Sequence, residues 1–263
     1  MTGIYATADR IAAASFRRYK MGLFSSAIHL RDVAQLDVMA ALDWCLSTCG
    51  YTQLAVLRVP PSGPGSLPDH SLWTTTRPYY LVSKAKGRWT TVIEGHFAVR
   101  EAPWLSELAK QLSRELSTYA IALMVHDDDV LYYNLEHRGE SLDGYNSCPQ
   151  YFEEQRLSEE YIADQRHTPA AFMPILPEGV TVDRLKDILD RGWWSDHDDS
   201  ALDEHGVQLD RSGRYVSERD RMIDLGRLLE LNGPGATYPF TAWAESPGIP
   251  WSEYIAVAYT RRH

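Results

Sequence analysis

The sequence is poor in cysteine: three in 263 residues, an odd number and too few for a disulfide framework. A reducing, cytoplasmic setting is the expectation. Cys45 and Cys49 lie four apart on one helix face, and no CxxC pair offers the rest of a zinc set, so both read as small buried apolar residues. No apolar run approaches the ~20 residues of a membrane span. The first 20 residues lack the apolar centre of a signal peptide. Positive charge is also in deficit, 26 Lys and Arg against 36 Asp and Glu, for a formal net charge of −10. A general nucleic-acid binder needs a basic stripe to neutralise phosphates, so that class is excluded. An acidic surface leaves a protein partner with a basic surface, or a small molecule.

Ordered catalytic motifs are missing as well. There is no GxSxG elbow, no GxxxxGK[ST] loop, no GxGxxG after a strand, no HExxH and no EF-hand spacing. The glycines around Asn232-Gly233 lack a lysine to meet a phosphate and read as a helix stop. Cys148, between Ser147 and Pro149, reads as a loop residue.

What is present is a clear unit from Pro103 to Tyr145. Pro103 suits a first helical turn. Leu105, Leu108, Ala109, Leu112 and Leu116 form one apolar helix face. Tyr119 to Val125 is an uninterrupted apolar run of strand length, which predicts a strand buried on both faces. His126-Asp127-Asp128-Asp129 reads as a turn. Val130 to Arg138 alternates as a half-buried strand, and Arg138-Gly139-Glu140 predicts a second turn.

Before this unit, Phe24 to Val33 reads as a strand, with Asp32 placed to cap the next helix. That helix carries Val38, Ala41, Leu42, Cys45, Leu46 and Cys49 and stops at Gly50. Leu54 to Val59 is a strand, and Tyr79 to Ser83 and Trp89 to Glu94 flank a Lys86-Gly87 turn. A strand–helix–strand–strand pattern thus occurs twice. The fold class is α+β, a mainly antiparallel sheet from two βαββ-type units with helices on one face, plus a mostly helical C-terminal extension. Residues 1–21 form an N-terminal arm, unless Met21 is the start. Residues 22–145 form the duplicated core and 146–263 an extension packed on it. In the extension, His167 to Gly179 reads as a Pro-rich connector, Thr181 and Ser217 cap helices, and Tyr254 to Thr260 is a closing strand.

The segment from Ala122 to Phe152 resembles segments of uncharacterised bacterial proteins, which implies a bacterial source and no particular activity.

Two acidic clusters could carry chemistry. Asp127, Asp128 and Asp129 sit in a turn at a strand end, where adjacent carboxylates can ligate a hard divalent cation and activate water. Asp is equally a favoured turn residue. Asp196, His197 and Asp198 follow Trp193 and Trp194, a mixed ligand set beside two aromatic contact residues. The leading expectation is a non-catalytic binding or interaction protein. The alternatives are a divalent-metal-dependent hydrolase at Asp127–Asp129 and a small-molecule sensor domain.

Overall fold

The computed structural model describes residues 25–63, 67, 78–94, 102–151, 157–160, 167–192, 201–202, 207–231 and 250–262. In chain order the elements are β1 (Ser25–Arg31), α1 (Gln35–Thr48), β2 (Tyr51–Arg58), β3 (Tyr79–Ser83), β4 (Trp89–Glu94), α2 (Ala102–Glu115), β5 (Tyr119–His126), β6 (Val130–His137) and β7 (Glu140–Asn146). There follow a 3-10 helix (Pro169–Ile175), α3 (Val182–Asp190), β8 (Ala201–Leu202), β9 (Gln208–Leu209), α4 (Glu218–Leu228), a 3-10 turn (Trp251–Glu253) and β10 (Tyr254–Arg261). β8 pairs with β9; the other strands form one eight-stranded sheet in the order β2-β10-β3-β4-β1-β5-β6-β7. Every pairing in it is antiparallel, so the chain is of the α+β class.

Side-chain alternation assigns the residues of this sheet to its two faces. On one face Ile28, Leu30, Val82, Ala120, Ala122 and Val257 meet the apolar stripes of α1 (Val38, Leu42, Cys45, Leu46) and α2 (Leu105, Leu108, Ala109, Leu112). On the other, Ile121, Leu123, Val125, Leu131, Tyr133 and Leu135 meet Phe172 and Ile175 of the first 3-10 helix and the apolar sides of α3 and α4. Both faces of β5 are therefore covered, which is why its sequence is continuously apolar. Each connection β1–α1–β2 and β4–α2–β5 joins two strands that run the same way, with its helix on the same face.

The turns follow residue chemistry. Arg138 and Gly139 both have positive φ, 52° and 81°, as a two-residue hairpin matched to strand twist requires. Gly139 also needs its missing side chain, since an added Cβ would lie 2.5 Å from Arg114 Nε and 3.0 Å from Arg114 Cβ. Thr181 Oγ1 accepts from the Arg184 amide at 3.3 Å, capping α3 as its sequence predicts. Ser217 Oγ likewise accepts from the Asp220 amide at 3.3 Å. Asp220 differs from a reciprocal capping box: its carboxylate accepts from the Gln208 amide at 2.9 Å, tying β9 to α4.

Three local expectations are corrected. Asp32 does not cap α1, whose N-cap is Ala34 with no side-chain bond. Asp32 has φ 54°, and its carboxylate instead accepts from Arg88 Nε at 2.8 Å. The Pro-rich stretch after His167 is more than a connector: it winds into the 3-10 helix and buries Phe172 fully. A buried Phe side chain is worth about 2–3 kcal/mol. β2 begins at Tyr51, three residues before its apolar stretch. The closing strand β10 runs through the sheet between β2 and β3.

Candidate functional site

The Asp127–Asp129 turn joins β5 to β6. Asp127 and Asp128 have φ of 54° and 63°, and the Asp129 amide donates to the His126 carbonyl at 3.0 Å. Asp tolerates the left-handed region better than most residues, so backbone geometry accounts for aspartate here. The Asp128 carbonyl accepts from the Glu218 amide at 2.8 Å, so the turn holds the first turn of α4. Asp129 Oδ2 accepts from the Tyr151 hydroxyl at 3.3 Å, and the Tyr151 ring stands edge-on to His126 at 5.9 Å.

Behind the turn lies a buried polar junction. The Glu218 carboxylate is 2.8 Å from Arg221 Nε. Burial pushes this carboxyl up to about 7, against the pull of Arg221 and a Ser147 hydrogen bond and with a further push from Asp129. Arg221 also donates to the Leu189 carbonyl and to Tyr145 Oη, the latter at 2.8 Å, and lies over the Tyr215 ring at 5.4 Å. The Cys148 thiol is pushed up by burial and then by Glu218 and Asp129, the opposite of an activated nucleophile. Among the described residues, no three His, Cys, Asp or Glu side chains come together as a metal-ligand set. The other acidic cluster, Asp196, His197 and Asp198 with Trp193 and Trp194, lies outside the described residues, as does the 1–21 arm.

A different region presents unsatisfied surface. Among the described residues, β2 closes one end of the sheet and pairs on one side only, with β10. The Val59 amide donates to the Tyr254 carbonyl at 3.0 Å. Antiparallel alternation then turns the N–H and C=O groups of Ala55 and Leu57 toward β10, and those of Val56 and Arg58 outward. Among the described residues, no backbone group pairs with that outer side. Leu54 and Val56 are exposed, at 42% and 44%. α1, which packs against β2, carries Trp44 at 53% exposure.

The two edges of the sheet differ. β7 carries Glu140 and Asp143, and Asp143 Oδ1 accepts from the Thr168 amide at 2.7 Å, bringing the following chain against that edge. Charge and cover of this kind protect an edge strand from further pairing. β2, YTQLAVLR, has no charged residue before Arg58. A register shift of β10 opposite Leu54 separates Tyr51–Gln53 from the regular stretch Ala55–Arg58. Around it stand exposed cations: Arg58 at one end, and at the other Arg261 and Arg262, whose Nε donates to Thr52 Oγ1 at 2.9 Å.

No family model, curated protein or solved structure matches this chain. No described helix is long and apolar enough to cross a membrane.

Sequence reasoning did not find the β2 edge, because edge position depends on which strand pairs with which. One local signal was available: the absence of charge between Tyr51 and Leu57.

Proposed function

We propose that this chain is a non-catalytic binding protein that takes an extended segment of a protein partner as an added strand along β2. The observation that carries the reading is the outward edge of Val56 and Arg58, flanked by the exposed apolar side chains of Leu54 and Val56. In strand addition, main-chain hydrogen bonds supply affinity and alternate side chains supply specificity. Trp44 is a large exposed aromatic on the neighbouring helix, of the type that anchors interfaces.

Charge decides the occupant. The net charge of −10 favours a basic partner, but the cations around β2 favour a segment that is acidic at both ends and apolar in the middle. A second copy is disfavoured. Antiparallel pairing of two β2 strands about a twofold axis sets Arg58 of one beside Tyr51, and hence near Arg261, of the other. Like charges across an interface oppose such pairing.

The scaffold reads as two strand–helix–strand–strand halves interleaved at β4 and β1, with the 3-10 helix, α3 and α4 folded over the opposite face and β10 inserted in the sheet. Support comes from the adjacency of β1 and β4 and from α1 and α2 sharing one face. This arrangement leaves β2 at the rim.

The test is binding of a synthetic peptide with alternating Val and Thr between paired Glu ends, followed by fluorescence anisotropy. Val56→Pro removes one outward N–H while leaving the β10 ladder intact. Saturable binding that this variant weakens by about tenfold or more, as losing a hydrogen bond and edge fit requires, supports the reading. Equal binding by the variant, or equal binding of a Lys-ended peptide, contradicts it.

A further inference from the structure

At one end of the sheet, the ends of β1, β4, β5 and β6 surround a recess of about 320 Å³, lined among others by Arg31, Asp32, Arg88, Tyr119, His137 and Pro174. That volume is at the lower end of the range for small-molecule sites. Its walls are built from side chains far apart in sequence. Asp32 stands between two guanidinium groups, with Arg31 Nε at 3.5 Å on one side and Arg88 Nε at 2.8 Å on the other.

Arg31 is held in place. Its side chain is only 7% exposed, its Nη1 donates to the Pro174 carbonyl at 2.8 Å, and its guanidinium lies over the Trp89 ring at 6.0 Å. Its own carbonyl accepts from Thr118 Oγ1. Such a guanidinium has already lost its rotamer freedom, so a ligand meets a preorganised donor. Among the described residues, Nη2 of Arg31 and Nη1 of Arg88 have no hydrogen-bond partner. Two cations face one anion, leaving the recess positive in a chain of net charge −10. Beside them Tyr119 and His137 stack at 3.9 Å with planes 7° apart, a flat double-ring wall. Burial, then Arg138, holds the His137 imidazole below its ordinary range, so at neutral pH that wall is uncharged.

We propose that this recess binds a small organic anion, its carboxylate or phosphate held by Arg31 and Arg88 and its body against the Tyr119–His137 wall. Both head groups accept hydrogen bonds from a guanidinium fork. Strands β10 and β3 stand between β2 and the β4, β1, β5 and β6 ends that form the recess, so the site stands or falls independently of the edge-strand reading.

The experiment titrates the full chain with inorganic phosphate and, separately, with benzoate, by calorimetry at constant ionic strength set with chloride. Saturable binding of one probe is expected, and which probe binds tells a phosphate ligand from a carboxylate one. Arg88→Gln, at a side chain 57% exposed and so safe for folding, should weaken it about tenfold, the loss of a charge-assisted hydrogen bond. Asp32→Asn should act oppositely and tighten it, because the competing carboxylate is gone while Asn tolerates the positive φ. Absence of saturable binding by both probes overturns the proposal. So does binding that neither substitution changes, which would be general salt interaction.

Discussion

His29 Nδ1 lies 2.9 Å from Thr91 Oγ1 across the β1–β4 pair, and the imidazole is completely buried. Burial drives its pKa from 6.5 down to about 3. The folded chain therefore holds a neutral ring while the unfolded chain takes a proton below about pH 6.5. The stability this contributes is complete above pH 6.5 and is lost as pH falls from 6.5 toward 3. Over that window the loss is about 4–5 kcal/mol, each pKa unit being worth ~1.4 kcal/mol. In His29→Gln, which keeps a partner for Thr91, acid unfolding should be shallower between pH 6 and 4. Chemical denaturation at a series of pH values checks it, and parallel curves for the two proteins would refute it.

Glu218 has the opposite sign. Its carboxyl is raised from 4.5 to about 7, chiefly by burial. Stability linked to this group is complete below about pH 4.5 and declines as pH rises through 7, because the folded chain keeps the proton longer. Glu218→Gln cannot titrate. Whatever its absolute stability, its curve should lack the wild-type decline between pH 5 and 7.5. A variant whose decline matches the wild type would show that the burial of Glu218 is not what sets the slope.

At the β5–β6 turn, Asp127 and Asp128 are explained by positive φ. The double change Asp127→Asn and Asp128→Gly installs the pair most favoured in such turns. Its melting temperature should equal or exceed that of the wild type. Asp128→Val should instead lose about 1–2 kcal/mol, the usual cost of a left-handed residue with a side chain that resists it. A large loss in the Asn-Gly variant would mean that the carboxylates themselves hold the fold.

Gly139→Ala combines φ 81° with an approach to Arg114 of 3.0 Å or less at two atoms. The Nε end can swing away, but Cβ moves only with α2. A loss of about 1–3 kcal/mol in urea unfolding is expected. No loss would mean that the β6–β7 turn relaxes freely.

Local patterns in the sequence carried much of the fold. The stripe Val38, Ala41, Leu42, Cys45, Leu46 and the cap at Ser217 each use neighbours within a few turns, so α1 and α4 were legible. The β5–β6 hairpin and the turn at Arg138-Gly139 were legible for the same reason, whereas β7, which follows that turn, was not read as a strand. Long-range pairing was not. Nothing in Tyr254–Arg261 says that it inserts between β2 and β3, and that insertion determines which strand is left at the rim. Asp32 was misread because it precedes a helix in sequence, whereas its partner Arg88 stands 56 residues away. The recess was illegible too, since its arginines and rings come from four strand ends.

The most direct test of the edge-strand account is amide hydrogen exchange along β2, with and without the Glu-ended Val/Thr peptide. In the chain alone, the Val56 and Arg58 amides should exchange rapidly while those of Ala55 and Leu57 are protected. At saturating peptide, Val56 and Arg58 should slow to the rate of their neighbours. If both are already protected in the chain alone, or stay fast with peptide bound, β2 is not the docking strand.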